Sequence, residues 1–162
     1  MYSTEGGEIL YHTKSHVIRF VVFFLMMLIF SFVNLKFWHS TGFIFYFVVL
    51  CLLIWASLYG VKASGSQRWV NLYFINLQPS ELMKVAIIVC LAKFYHRTQI
   101  HLVNSFKNLI IPIVVLIIPI LLVVSQPDLG TSILIGLSGV IVLWLSGVNA
   151  KYFIYSSLIL FI

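Results

Sequence analysis

Gly42-Phe43-Ile44-Phe45-Tyr46-Phe47-Val48-Val49-Leu50-Cys51-Leu52-Leu53-Ile54-Trp55-Ala56-Ser57-Leu58-Tyr59-Gly60-Val61 runs for twenty residues without a charge. A helix rises about 1.5 Å per residue, so such a run matches the ~30 Å hydrocarbon core of a bilayer. The composition around it agrees. With 62% hydrophobic and 9% charged residues and a mean hydropathy of +1.09, the chain has too few polar groups to cover a water-exposed surface, for which soluble domains use about 25% charged residues. The reading is therefore an all-α, polytopic membrane protein.

Working outward, further spans are predicted near 17–35, 80–95, 109–125 and 131–148, with a partial one at 152–162. No alternating pattern of about ten residues suggests a β-barrel. Arg19 lies near the end of the first span, where it can snorkel to the headgroups. Residues 36–41 are predicted to form a turn. The segment 62–79 mixes small, basic and aromatic residues, which suits a layer lying flat at the interface. Pro112 and Pro119 fall inside a span, where helices tolerate proline if neighbours pair the freed carbonyls. Ser132, Gly136 and Gly139 offer the next helix a small-residue face for close packing. The last run, Tyr152 to Ile162, is too short to cross, so the chain is expected to be a fragment with five complete spans and a partial sixth.

The net charge of +6 sits between apolar runs, so lipid headgroups are the expected partners and nucleic acid is not. Cys51 and Cys90 lie within apolar runs and are expected to be small buried hydrophobes, neither a disulfide nor a metal pair. His12 with His16 and His96 with His101 have loose ligand spacings but lack a third ligand, so no metal site is predicted. No cofactor is evident in the sequence. The polar stretch from Met1 to His16 has no signal-peptide character, which leaves targeting to the first span. Lys36, Lys93, Arg97, Lys107 and Lys151 fall on one side, Lys14, Arg19, Lys62 and Arg68 on the other, together with all four acids, Glu5, Glu8, Glu81 and Asp128. The acid-bearing side is predicted to face outward.

The chemically loaded stretch is Gln78-Pro79-Ser80-Glu81-Leu82-Met83-Lys84. Proline suits the first helical turn, and a carboxylate there meets the positive end of the helix dipole. Glu81 and Lys84, three apart, share a helix face and can neutralise each other. Gln126-Pro127-Asp128-Leu129-Gly130-Thr131 repeats the theme. Two helix starts, each with an acid, point to one shared polar pocket lined by Arg68, Gln78, Glu81, Lys84, Gln126 and Asp128. Arg68 and Lys84 with helix-start N–H groups could hold a phosphate, and the acids could position sugar hydroxyls. The same residues could equally be an ion-pair network that locks helices together, and breaking a buried pair of that kind costs about 3–5 kcal/mol. Trp69, Tyr73 and Phe74 could stack on a sugar or prenyl chain, although anchoring at the interface is the commoner role of such aromatics.

Gly65-Ser66-Gln67-Arg68-Trp69, Gln78-Pro79-Ser80-Glu81 with Lys84, and Gln126-Pro127-Asp128-Leu129-Gly130-Thr131, separated by apolar helices, resemble the SEDS proteins of the bacterial inner membrane, most closely their RodA branch. The resemblance covers nearly the whole chain. It implies a peptidoglycan glycosyltransferase that polymerises the undecaprenyl-linked precursor lipid II during cell elongation, with a class B penicillin-binding transpeptidase as partner. It also implies a fold of about ten helices, of which this chain is expected to hold roughly the second to sixth. The family's presumed catalytic aspartate belongs to a later loop, expected beyond Ile162, so no catalytic residue is mapped here and the fragment is expected to be inactive alone. Arg68, Glu81, Lys84 and Asp128 carry over only as residues of the motif-lined cavity. Two rival readings stand beside polymerisation: a lipid II flippase using the same cavity, and a non-catalytic membrane partner of a transpeptidase.

Overall fold

Asn34 sets the start of the first long helix. Its Oδ1 accepts the backbone N–H of Lys36 at 3.0 Å, and its carbonyl accepts that of Phe37 at 2.9 Å. An asparagine just ahead of a helix satisfies N–H groups that otherwise lack partners. Helix α1 therefore runs Leu35–Tyr59, and the turn predicted at 36–41 is helical instead, because the cap lies ahead of Lys36. The structure, a computed structural model, describes residues 17, 20–21, 24–25, 27–28, 31–63, 66–71 and 76–154, with 61–63, 66–68, 71 and 76 described by backbone alone. Most of the predicted span at 17–35, His12, His16, Glu5, Glu8, Tyr73, Phe74 and the run after residue 154 lie outside the described residues. The chain divides into two compact units, Met1–Phe37 and Trp38–Ile162, and everything that follows concerns the second.

After α1 come three short strands, β1 (Val61–Ala63), β2 (Ser66–Asn71) and β3 (Asn76–Leu77), in an antiparallel sheet ordered β1-β2-β3. Gly60 makes the corner: a Cβ there would stand 2.2 Å from the Ala56 carbonyl oxygen, which excludes any side chain. This sheet was not anticipated for the interfacial segment. Its backbone groups pair with one another, which suits a chain leaving the region where water is scarce. Helix α2 (Pro79–His96), helix α3 (Phe106–Ser125) and helix α4 (Leu129–Leu145) follow, with a 3₁₀ turn at Ile100–Leu102 and helical backbone again at 150–154. Two helices, Leu35–Tyr59 and Phe106–Ser125, are long and apolar enough to cross a membrane, and Leu129–Leu145 is a shorter apolar helix.

Helix α2, the most charged, is the most enclosed, with nine of its 18 residues buried. Met83, Ala86, Ile87, Cys90 and Leu91 meet Tyr46, Val49 and Leu53 of α1, Leu116 and Val123 of α3 and Ile135 of α4 in one apolar core. Burial between neighbours is what a short helix carrying three charges requires, since lipid would penalise them. Cys90 is buried as expected, but Cys51 is exposed. It sits on the α1 face away from Val49, Leu53 and Ala56, so helical periodicity overrides its apolar surroundings.

Both prolines of α3 find the compensation that the sequence demands. A proline cannot donate to the carbonyl four residues earlier, so Pro119 frees the Val115 carbonyl and Pro112 frees that of Asn108. Tyr46 Oη of α1 donates to the Val115 carbonyl at 2.8 Å. Tyr95 Oη of α2 donates to the Asn108 carbonyl at 3.1 Å. Each hydroxyl thus replaces a lost helix bond. Gly139 of α4 packs under Leu116 of α3, where an added Cβ would fall 2.3 Å from Leu116 Cδ1. The small-residue contact predicted for this helix is real at Gly139.

A candidate headgroup site at two helix starts

Gln78 caps α2 with an extended backbone but makes no side-chain bond to its own helix N–H groups. Its carboxamide is used elsewhere. Nε2 donates to Ser80 Oγ at 3.0 Å and, across fifty residues of chain, to Asp128 Oδ2 at 3.2 Å. A carboxamide has two N–H donors, so both are engaged, and an ionised carboxylate can only accept, which fixes the amide's orientation. Asp128 in turn caps α4: its Oδ1 accepts from the Thr131 N–H at 3.3 Å. The two helix starts that looked alike in sequence are therefore tied together through one acid.

Gln126, on the turn before α4, is 5% exposed, and its Nε2 points to the Leu53 carbonyl of α1 at 3.5 Å. That brings a third helix to the same end. Pro79 stands at the first position of α2 with Glu81 in its first turn, as the sequence required. Lys84 Nζ meets Glu81 Oε2 at 2.7 Å, with side chains 24% and 53% exposed respectively. The pair is open rather than sealed, so the 3–5 kcal/mol expected for a buried pair is too large within this chain. A part-exposed pair is worth at most about 1 kcal/mol. Arg68 lies on β2, a strand that packs against α2, but its side chain is outside the described residues. Trp69 beside it is half-buried.

Ser80 was missed in sequence. It is 2% exposed and holds Gln78 in place, and the available signal was a small hydroxyl following an N-terminal proline. The Leu53 carbonyl, a backbone group, left no signal. Among the described residues no three His, Cys, Asp or Glu side chains gather as a metal set would. Chemically, the end offers one carboxylate held by two donors, an ion pair with an exposed acid, and the N-terminal dipoles of α2 and α4 pointing the same way. Such an arrangement favours anions at the helix starts and hydroxyl donors at the acids.

Two helices long and apolar enough to span, a shorter apolar helix and the enclosed α2 fit a polytopic helical membrane protein. A family model described as "Cell cycle protein", FTSW_RODA_SPOVE, matches residues 2–162, and the chain belongs to that family, the SEDS proteins. Among curated relatives, the "Probable peptidoglycan glycosyltransferase FtsW" of Buchnera aphidicola subsp. Baizongia pistaciae is 31% identical over 153 residues, covering 94% of this chain and 40% of the relative. The "Peptidoglycan glycosyltransferase MrdB" of Escherichia coli K12 is 42% identical over 104 residues, covering 64% of this chain and 28% of the relative. The chain thus spans well under half the length of these relatives. In fold it is similar to a chain of the structure described as "Structural coordination of polymerization and crosslinking by a peptidoglycan synthase complex", with a TM-score of 0.82 at 20% identity over 98% of this chain and 46% of that one. The crystal structure of the rod shape determining protein RodA of Thermus thermophilus aligns with a TM-score of 0.70 at 21% identity over 82% of this chain and 44% of that one.

Proposed function

We propose that this chain forms the motif-lined headgroup cavity of a RodA-like peptidoglycan glycosyltransferase in the bacterial inner membrane, where it binds lipid II for polymerisation in cell-wall elongation. The observation carrying the proposal is the Gln78 to Asp128 bond at 3.2 Å, which makes one polar end out of two distant motifs. In this reading Lys84, Arg68 and the helix-start N–H groups attract the diphosphate, and Asp128 and Gln126 orient sugar hydroxyls. Glycosyl transfer also needs a base for the attacking hydroxyl and stabilisation of the diphosphate leaving group. Glu81 is taken up by Lys84 and Asp128 by Gln78 and Thr131, so neither is assigned the base. The name of the structure with polymerisation and crosslinking supports a class B penicillin-binding transpeptidase as partner.

The experiment is lipid II binding by the purified chain in detergent, followed by a glycan-chain assay with the corresponding full-length protein. Lys84→Ala and Arg68→Ala should each weaken lipid II binding. Unchanged affinity in both variants sinks the cavity. If the full-length protein moves labelled lipid II across vesicles and makes no polymer, the site belongs to a flippase, and if neither activity nor binding is found while a transpeptidase still co-purifies, the chain is a non-catalytic partner.

A further inference from the structure

Among the described residues, the opposite end of the bundle carries cations without carboxylates. Lys93 of α2 is 6% exposed, and its Nζ spends one donor on the Ser40 carbonyl of α1 at 2.6 Å, with the Phe43 ring 4.6 Å away. An ammonium has three donors. Among the described residues the only ion pair is the distant Lys84–Glu81, so neither Lys93 nor Arg97 meets an acid there. The last carbonyls of α2 do not use these cations as caps either: Phe94 O accepts from the Arg97 N–H and Thr98 Oγ1, and Tyr95 O from the Thr98 N–H. Beside them the His39 ring of α1 packs edge-on against His96 at 4.7 Å, and His39 Nε2 is a buried nitrogen with no hydrogen-bond partner. Arg97 follows His96 directly, as the cap of α2. Trp38, one residue from His39, packs edge-on against Phe45.

A desolvated lysine, an exposed arginine and an orphaned imidazole nitrogen at one level are what an anion would complete, since a buried donor without a partner costs about 1–3 kcal/mol. We propose that His39, Lys93, His96 and Arg97, where the start of α1 meets the end of α2, form a binding site for a phosphate group, supplied by the headgroup of an anionic phospholipid. The exposed His96 turns outward to admit it. The phosphate oxygens then take the remaining Lys93 donors, the Arg97 fork and His39 Nε2. This site lies at the other end of the helices from the candidate lipid II cavity and does not depend on that assignment.

The test uses the whole chain in nanodiscs of phosphatidylcholine, with or without phosphatidylglycerol, and counts retained lipids by native mass spectrometry. The wild type should retain phosphatidylglycerol in preference to phosphatidylcholine. Arg97→Gln, a change at an exposed residue, should reduce that preference roughly fivefold, the effect of about one cation near an anionic surface. Lys107→Gln with Lys151→Gln, cations of the same end outside the site, should leave it intact. Inorganic phosphate that displaces the lipid identifies the phosphate group alone as sufficient, and phosphate that fails to do so shows that the lipid is needed; either result supports the site and separates its two sources. Equal retention of both lipids, or an equal loss in the Lys107/Lys151 variant, overturns it.

Discussion

Tyr46→Phe tests the idea that α3 keeps its prolines only because neighbouring tyrosines serve the freed carbonyls. The substitution removes one oxygen and keeps the ring. Tyr46 is 8% exposed and its hydroxyl is 2.8 Å from the Val115 carbonyl, so the loss leaves a part-buried acceptor unmade, at a cost of about 1–3 kcal/mol. Tyr95→Phe removes a longer bond, 3.1 Å, to the Asn108 carbonyl and should cost nearer 0.5–1.5 kcal/mol. For a chain of this size 1 kcal/mol corresponds to roughly 2–4 °C in Tm. Thermal unfolding of the purified chain in detergent should therefore rank wild type above Tyr95→Phe above Tyr46→Phe. The decisive comparison adds Pro119→Ala, which restores the N–H that Val115 lacks. In that background Tyr46→Phe should lose most of its effect, a coupling of about 1 kcal/mol. An equal cost of Tyr46→Phe with and without Pro119 refutes the argument.

Other outcomes follow from the same geometry. Asp128→Ala should lose the cap on Thr131 and the Gln78 bond together and lower stability by about 0.5–2 kcal/mol, whereas Asp128→Asn keeps an oxygen for the cap and should recover most of it in the same melt. Lys84→Ala should change stability by less than about 1 kcal/mol, because the pair is part-exposed, while weakening lipid II binding. A stability loss above 3 kcal/mol would instead mark Glu81 as buried by parts of the protein outside the described residues. Gly139→Ala should destabilise by about 1–3 kcal/mol through overpacking on Leu116, and Leu116→Ala in the same chain should relieve the clash, as read by thermal unfolding.

The helical class was readable from the charge-free run at 42–61, and the pairing of the two Gln-Pro motifs from their likeness, because helix chemistry is local and repeats with local signals. The start of α1 was misplaced since Lys36 and His39 look like loop residues, while Asn34, whose side chain does the capping, is only one residue in an apolar setting. The sheet at 61–77 escaped notice because its strands are two to six residues long, too short for an alternating pattern to register. Pro112 and Pro119 announced that two carbonyls needed donors. Which residues answer is set by helix packing, so Tyr46 and Tyr95 could not be picked out of eight tyrosines. The cationic end was legible as a charge count, but the closeness of His39 to His96 across 57 positions was not.

The separation of charge along the bundle has an electrical consequence. Lys93, Arg97, Lys107 and Lys151 belong to the segments at one end, and Lys62, Arg68 and Lys84 with Glu81 and Asp128 to those at the other, so the ends differ by about three net charges within the second unit. Across an energised membrane each charge moved through the full voltage changes the energy by about 2.3 kcal/mol per 100 mV. Turning such a bundle over would then cost roughly 7 kcal/mol per 100 mV, so a membrane voltage alone distinguishes its two orientations.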